Sequence, residues 1–143
     1  MKTIILSVAV FAFLLFNAAA QQLDYSQLRT AAEKEYSQKS YKRAHDIYAQ
    51  VEKSKLTPSE LRWVEFRLAD TSWRADAATQ NPDKTRIEEA RKKLKELISA
   101  ADKDVDRDLV WAEAQESLGD SFWSRNEMNW AAAWPYYERN CHS

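Results

Sequence analysis

Acidic residues alternate along one short stretch in the second half of the chain. Asp102, Asp104, Asp106 and Asp108 occupy its positions 1, 3, 5 and 7, and Glu113 is at position 12. Oxygen ligands at these positions are typical of a calcium-binding loop between two helices. Arg107, however, stands at position 6, where such a loop needs glycine for a sharp turn. We therefore interpret the stretch as a turn whose acids favour the dipole of the next helix, with calcium binding as the alternative.

Other side chains able to do chemistry are few. His45 and His142 are the only histidines, and Cys141 is the only cysteine. His45 has no second histidine or cysteine at the spacing of a metal site, so we interpret it as an ordinary surface or edge residue. The single glycine excludes glycine-rich phosphate loops and dinucleotide fingerprints. The sequence therefore predicts a protein that is not an enzyme and holds neither a cofactor nor a metal.

The composition favours helices as the elements that position every other residue. The 143 residues include one glycine and three prolines, and Ala, Glu, Lys, Leu and Arg are abundant. Such a chain forms helices readily and tight β-turns poorly. Its length is enough for one domain. We predict an all-α fold over residues 21–143.

Two spacings recur along this part of the chain. Leu118-Gly119-x2-Phe122 is followed by Trp130-x2-Ala133-x3-Tyr137. The upstream copies of the two spacings are Leu28-x2-Ala31-Ala32 with Ala44-x3-Tyr48, and Glu65-x2-Leu68-Ala69 with Ala90-x3-Leu94. Small residues at these places let two helices approach closely. The spacings predict three helical hairpins, at about residues 25–53, 58–101 and 106–140.

This pattern resembles the tetratricopeptide repeat, a pair of antiparallel helices of about 34 residues. The resemblance covers roughly residues 24–140 and implies a right-handed α-solenoid of about three hairpins. Ala44, Ala90 and Ala133 are separated by 46 and 43 residues. The turns must therefore be longer than is usual in that family.

The resemblance also implies a binding surface, because the first helices of such hairpins line a concave groove that holds a peptide or a partner helix. Trp73 and Trp123 would be its anchors. The predicted partner-binding residues are Arg29, Glu33, Tyr36, Phe66, Asp70, Trp73, Arg74, Asp120 and Trp123. The alternative is that these aromatic side chains pack between neighbouring hairpins.

Local signals predict where three of the helices begin. Ser40 is a candidate N-cap for the second helix. Thr57, Pro58 and Glu60 predict a capped helix start, with proline at the first helical position. Pro135 falls inside the last predicted helix, so that helix is either kinked or begins later than Asn129.

Residues 1–20 have the pattern of a secretory signal peptide. Lys2 precedes an apolar run from Ile4 to Phe16, and three alanines end at Ala20. We expect cleavage before Gln21 and a secreted or periplasmic protein. The alternative is a membrane anchor, but 13 apolar residues fall short of the roughly 20 that a spanning helix needs. We therefore expect no stable membrane span.

The charge balance of the remaining chain bears on its partners. Without Lys2 it has 20 basic and 22 acidic residues, and both signs are interspersed. This composition does not favour nucleic-acid binding. We expect a module that binds a protein or peptide in its groove. The alternative is a structural spacer, the N-terminal part or a fragment of a larger secreted multidomain protein.

Overall fold

A computed structural model of the chain describes residues 24–101, 103 and 107–140. The predicted signal peptide, Cys141 and His142 lie outside these residues. The six α-helices of the described part are α1 Tyr25–Ser37, α2 Tyr41–Tyr48, α3 Pro58–Ala77, α4 Lys84–Ser99, α5 Leu109–Phe122 and α6 Trp130–Asn140. A short 3-10 helix spans Lys53–Lys55, and the described residues contain no strand. The all-α prediction is confirmed.

The helices pack in sequence order. α1 with α2, α3 with α4 and α5 with α6 make the most extensive contacts, and α2 also contacts α3 as α4 contacts α5. The central helix α3 contacts α5 directly. The small residues that mark the repeat are all buried: Ala32, Ala44, Ala69, Ala90, Gly119 and Ala133. Their burial explains how paired helices approach each other so closely.

The predicted N-caps of α3 and α2 can be compared with the structure, and that of α3 matches more fully. The Thr57 hydroxyl accepts a hydrogen bond from the Glu60 backbone N–H at 3.4 Å, and the Thr57 backbone N–H donates to the Glu60 carboxylate at 2.8 Å. This is the predicted capping box, with Pro58 as the first residue of α3. Ser40 is the N-cap of α2, but its side chain makes no capping bond.

Pro135 lies within α6, which begins at Trp130. The helix thus begins one residue after Asn129, and Pro135 is its sixth residue. Proline has no N–H, so the carbonyl of Ala131 loses its usual partner one turn further along the helix. A helix can tolerate this loss where its other face is well packed, and Ala133 on α6 is fully buried.

The turn between α1 and α2 contains a strained residue, Lys39, with φ of 61°. The Ser40 N–H donates to the carbonyl of Glu35 at 2.9 Å, and the Lys39 N–H donates to that of Tyr36 at 2.8 Å. This is the Schellman arrangement, in which the left-handed position is normally glycine.

We expect Lys39→Gly to raise the free energy of unfolding by about 1 kcal/mol, because glycine adopts a positive φ without strain. Urea unfolding monitored by circular dichroism measures the change. The matched control is Lys34→Gly within α1, where glycine should instead cost about 1 kcal/mol. A loss of stability with Lys39→Gly would contradict the assigned strain.

The core is centred on α3. Trp63, Val64, Phe66 and Trp73 of this helix are buried, together with Leu94 of α4 and Leu118 of α5. Neighbouring helices therefore cover α3 on more than one side. None of the described helices is long and apolar enough to cross a membrane.

Candidate functional site

Charged side chains meet where α1, α3 and α5 come together. Alternating acids and arginines form a continuous row that we call the ion ladder: Glu33, Arg67, Asp70, Arg74 and Asp120. Four of these five residues were predicted to face the groove, and Arg67 was not. The ladder joins three helices that are distant in sequence.

The first contact of the ion ladder is a bidentate salt bridge between Arg67 and Glu33. Arg67 Nε lies 2.8 Å from Glu33 Oε1, and Arg67 Nη2 lies 3.0 Å from Glu33 Oε2. The guanidinium of Arg67 also stacks 4.1 Å from the ring centroid of Tyr36 and 4.6 Å from that of Trp63. Arg67 is only 6% exposed. Its charge is therefore held by aromatic faces and one carboxylate rather than by water.

The ladder continues through Asp70, which is fully buried. Its Oδ1 accepts hydrogen bonds from Arg74 Nε at 2.8 Å and from the Ser117 hydroxyl at 2.6 Å. Its Oδ2 is 3.6 Å from Arg67 Nη1, which makes this the longest link of the ladder. Arg74 Nη2 then donates to Asp120 Oδ2 at 2.8 Å. Arg74 and the Ser117 hydroxyl thus replace the hydration of Oδ1. Oδ2 and Arg67 Nη1 make no hydrogen bond within the described residues and attract each other only through their charges.

Three tyrosines lie beside the three acids of the ladder. Tyr48 donates its hydroxyl proton to Glu33, and Tyr137 donates to Asp120 at 2.8 Å. Burial and then the neighbouring Glu33 carboxylate raise the pKa of Tyr48 well above its usual value. Burial raises the pKa of Tyr36 and Tyr137 in the same direction, with Asp70 and Asp120 as the next causes. All three phenols therefore remain protonated at neutral pH.

These shifts predict a loss of stability in alkali. Unfolded tyrosine ionises near pH 10, whereas folded Tyr48, which is almost fully buried, keeps its proton to higher pH. The stabilisation is therefore complete below about pH 10 and falls above it, by up to about 1.4 kcal/mol per pH unit for one tyrosine. Urea unfolding between pH 9 and 11.5, with tyrosinate absorbance followed in parallel, measures the slope. In Tyr48→Phe the free energy of unfolding should fall less steeply with pH. An unchanged slope in that variant would contradict the raised pKa of Tyr48 as its cause.

Two predicted groove residues are core residues instead. Trp73 is 4% exposed, and its indole N–H donates to the Ser117 hydroxyl of α5 at 2.9 Å. Phe66 is almost fully buried and lies edge-on to Trp63. Both are covered by neighbouring helices, so neither can anchor a ligand. Trp73 and Phe66 are therefore corrected from surface positions to packing positions.

Trp123 differs from Trp73 because it is 44% exposed. Its ring centroid lies 5.3 Å from that of Trp130, and the centroid of Trp130 lies 5.5 Å from that of Trp134. Trp130 and Trp134 are each 48% exposed. We call Trp123, Trp130 and Trp134 the tryptophan cluster. It adjoins the end of the ion ladder, because Trp130 also contacts Tyr137, the partner of Asp120.

Only Trp123 of this cluster was predicted from the sequence to lie at a binding surface. Trp130, Trp134 and Tyr137 are spaced by four and three residues, which places them along one side of α6. That spacing was available in the sequence. Trp130 and Tyr137 were predicted only as positions of the repeat and Trp134 was not singled out, because a helical stripe of aromatics does not reveal whether another helix covers it.

The remaining predicted residue, Arg29, lies at the opposite end of the ladder. Its guanidinium is 4.6 Å from the ring centroid of Trp63, and the residue is exposed. The predicted site residues thus follow one row, with Arg29 at one end and Trp123 at the other. Only the two ends of this row have large exposed side chains.

An open cavity lies on the other side of α3. It has a volume of about 800 Å³ and lies between α2, α3 and α4. Leu61, Leu68, Ala69, Ala90 and Leu97 supply its apolar lining. Leu68 is about half a helical turn from Asp70, so this cavity and the ion ladder occupy opposite faces of α3. Leu61 and Leu68 are both partly exposed in this cavity.

The acidic stretch is described only in part, since Asp102, Asp104 and Asp106 lie outside the described residues. Asp108 is the N-cap of α5, and its carboxylate accepts the backbone N–H of Trp111 at 2.8 Å. It also accepts from Arg62 Nε of α3 at 3.1 Å. At this one position, the acid serves the start of the next helix. Among the described residues, no three histidine, cysteine, aspartate or glutamate side chains are placed to hold a metal ion.

Comparison with known proteins gives no relative for this chain. No family pattern, no characterised protein and no solved structure matches it.

Proposed function

We propose that this chain is a secreted or periplasmic helical-repeat domain, without enzymatic activity, that binds a partner protein through its tryptophan cluster. The observation that carries the proposal is the half exposure of Trp123, Trp130 and Trp134 at one place on the last hairpin. Contiguous exposed apolar surface of this kind is characteristic of interaction sites. Tryptophan is also the residue most enriched among those that dominate binding energy.

The site that we propose differs from the groove implied by the tetratricopeptide resemblance. The middle of the predicted row is occupied by Arg67, Asp70 and Arg74, which bind one another or neighbouring helices. A ligand there would have to break buried charged contacts, at a cost of several kcal/mol. The tryptophan cluster requires no such rearrangement, so it is the favoured contact surface.

The wider architecture supports a repeat domain. The helices pack in order, and α3 contacts α5, as expected if successive hairpins stack side by side in a solenoid. The apolar run from Ile4 to Phe16 supports export. N-terminal sequencing of the exported protein should begin at Gln21, and retention of Lys2 would contradict this part of the proposal.

The binding proposal is tested by selecting displayed random peptides on the full immobilised chain. We expect peptides whose affinity falls at least 30-fold with Trp123→Ala, because truncation of a dominant interface residue costs about 2 kcal/mol or more. The matched control is Leu109→Ala, which removes an exposed apolar side chain at the other end of α5 and should change affinity less than threefold. Absence of any peptide that depends on Trp123 would overturn the proposal.

The spacer alternative rests on the same exposed tryptophans, which could instead pack against a further domain of a longer polypeptide. A spacer without that domain should associate with itself through the cluster. Sedimentation of the full chain at several concentrations, with and without Trp134→Ala, separates the two functions. A monomer that binds the selected peptides supports the binding module.

A further inference from the structure

An acidic residue precedes an aromatic residue by three positions on α1, on α3 and at the end of α5. Residues three apart on a helix are neighbours on its surface. In the third case the aromatic residue, Trp123, is the C-cap that directly follows α5. We call these the acid–aromatic pairs: Glu33 with Tyr36, Asp70 with Trp73, and Asp120 with Trp123. Each pair begins directly after the small residue of its helix, which is Ala32, Ala69 or Gly119. The three pairs therefore occupy equivalent positions in the three hairpins.

The first pair is closed by the next hairpin. Arg67 of α3 binds the Glu33 carboxylate through two nitrogens at 2.8 and 3.0 Å. The same guanidinium lies 4.1 Å from the ring centroid of Tyr36. One cationic side chain thus engages both members of the pair.

The second pair is also closed by the hairpin after it, but through a hydroxyl instead of a cation. The Ser117 hydroxyl of α5 donates to Asp70 Oδ1 at 2.6 Å and accepts from the Trp73 indole N–H at 2.9 Å. Arg67 lies two residues before Ala69, and Ser117 lies two residues before Gly119. The closing residue therefore comes from the same position of the following first helix in both cases.

The third pair is open in the described part of the chain. The Asp120 side chain is 33% exposed, and Trp123 is exposed as well. Asp120 is bound from its own hairpin by Tyr137, just as Glu33 is bound from its own hairpin by Tyr48. Arg74 of the preceding hairpin takes its other oxygen. A carboxylate has about four acceptor sites, so Asp120 can accept further hydrogen bonds.

The charge of the ladder favours a cation at this place. Its members alternate in sign, from Glu33 through Arg67, Asp70 and Arg74 to Asp120, so that the row begins and ends on an acid. One further cation beside Asp120 would balance the row. An arginine can bind a carboxylate through two nitrogens and stack on an indole at the same time, as Arg67 does with Glu33 and Tyr36.

We propose that the third acid–aromatic pair and the adjoining Trp130 and Trp134 form the docking site for a helix of a partner protein, with an arginine of that helix between Asp120 and Trp123. This inference rests on the proposed binding function. A helix is required because both closed pairs are closed by residues on helices. Trp134 comes directly after the small residue of its helix, Ala133, and Arg91 is in the same position after Ala90. Arg91 is covered by α5, where it donates to the hydroxyl and the carbonyl of Ser121. A docked helix would cover Trp134 in the same way.

A second copy of this chain fits the open pair less well. Its α1 would present Thr30, which lies two residues before Ala32. Unlike Ser117, Thr30 already donates its hydroxyl proton to the Ser26 carbonyl, at 2.9 Å, so that proton is not free for Asp120. The neighbouring Arg29 is exposed, but it lies about 100° away round α1 and stacks on Trp63 of its own chain. One turn before Thr30, α1 has exposed Ser26, whereas α3 has the buried indole of Trp63, so a second copy would set polar side chains against the tryptophans.

The test uses peptides selected on the full chain that depend on Trp123. We expect them to become helical on binding, as seen by circular dichroism, and to contain an arginine whose replacement by glutamine weakens binding at least tenfold. Asp120→Asn in the protein should weaken binding by a similar factor. The two changes combined should weaken it no further than either alone. Glu116→Gln, which removes an exposed charge one turn away on α5, should have less than a threefold effect.

Other outcomes separate this inference from the function on which it rests. One such outcome is peptides that need Trp123 but bind in an extended form, and another is peptides that bind equally well to the Asp120→Asn variant. Either result would contradict the proposed docking of an arginine-bearing helix and would leave the proposed binding function intact. If no peptide needs Trp123, the binding function itself fails. A dimer of the full chain that depends on Trp123 and excludes the peptides would identify a second copy as the occupant. Because the arginine-to-glutamine change is made in the peptide, it tests the predicted contact even if Asp120→Asn destabilises the fold.

Discussion

Arg67→Met should lower the free energy of unfolding by about 3–5 kcal/mol, the cost of leaving one member of a buried ion pair without its partner. The variant lacks the Arg67 guanidinium, which binds Glu33 through two nitrogens and stacks on Tyr36 and Trp63. It also removes one of the two arginines that face Asp70. We expect a value near the lower limit, because the Glu33 side chain is 31% exposed and water can partly replace the arginine.

Urea unfolding at pH 7 measures this loss, and Lys42→Met is the matched control. Lys42 pairs with Asp46 four residues along α2, and its side chain is 73% exposed. Exposed pairs of this kind contribute about 0.3–0.5 kcal/mol. Combining Arg67→Met with Glu33→Leu should restore part of the loss, because no unpaired charge then remains. Equal losses for Arg67→Met and Lys42→Met would show that the ladder does not hold the helices together.

The sequence was sufficient for those features of the fold that depend on local signals. The capping box at Thr57 and the near absence of glycine act within one helix or one turn, and the small residues recur at a helical spacing that is visible in the sequence. The buried alanines of the three hairpins could therefore be located from spacing alone. The left-handed backbone at Lys39 could not be predicted, because lysine gives no sign of a positive φ.

The partners within the site depend on how the helices pack against one another, and this could not be read from spacing. Glu33 and Arg67 are 34 residues apart, whereas Asp70 and Ser117 are 47 apart, mainly because α4 is twice as long as α2. Trp73 and Trp123 each lie four residues after a small residue, but Trp73 is inside α3 and Trp123 is the C-cap of α5. Trp73 is buried and donates to Ser117 of α5, whereas Trp123 is 44% exposed. The sequence could therefore identify the row of positions, but not which of them remain open.

Gly119 of α5 faces Tyr137 of α6, so it limits how closely these two helices approach. Tyr137 in turn binds Asp120, the acid of the open pair. A Cβ atom at Gly119 would lie 2.8 Å from Cε1 and 2.9 Å from Cζ of Tyr137. The Tyr137 ring has little freedom to retreat, because its hydroxyl is bound to Asp120 at 2.8 Å and its face lies against Trp130. A methyl group there must displace the ring and strain its contact with Asp120.

Gly119→Ala should lower the free energy of unfolding by about 1–2 kcal/mol, since overpacking costs about 1–3 kcal/mol and alanine returns up to about 1 kcal/mol of helix propensity. In the background Tyr137→Ala the same change should become stabilising, because only the propensity remains. A double-mutant cycle in urea measures both values. A stabilising Gly119→Ala with Tyr137 intact would show that the ring yields without cost. Gly119→Ala should also weaken the binding of the peptides that depend on Asp120. The reason is that Tyr137, which the added methyl group displaces, holds the Asp120 carboxylate in place.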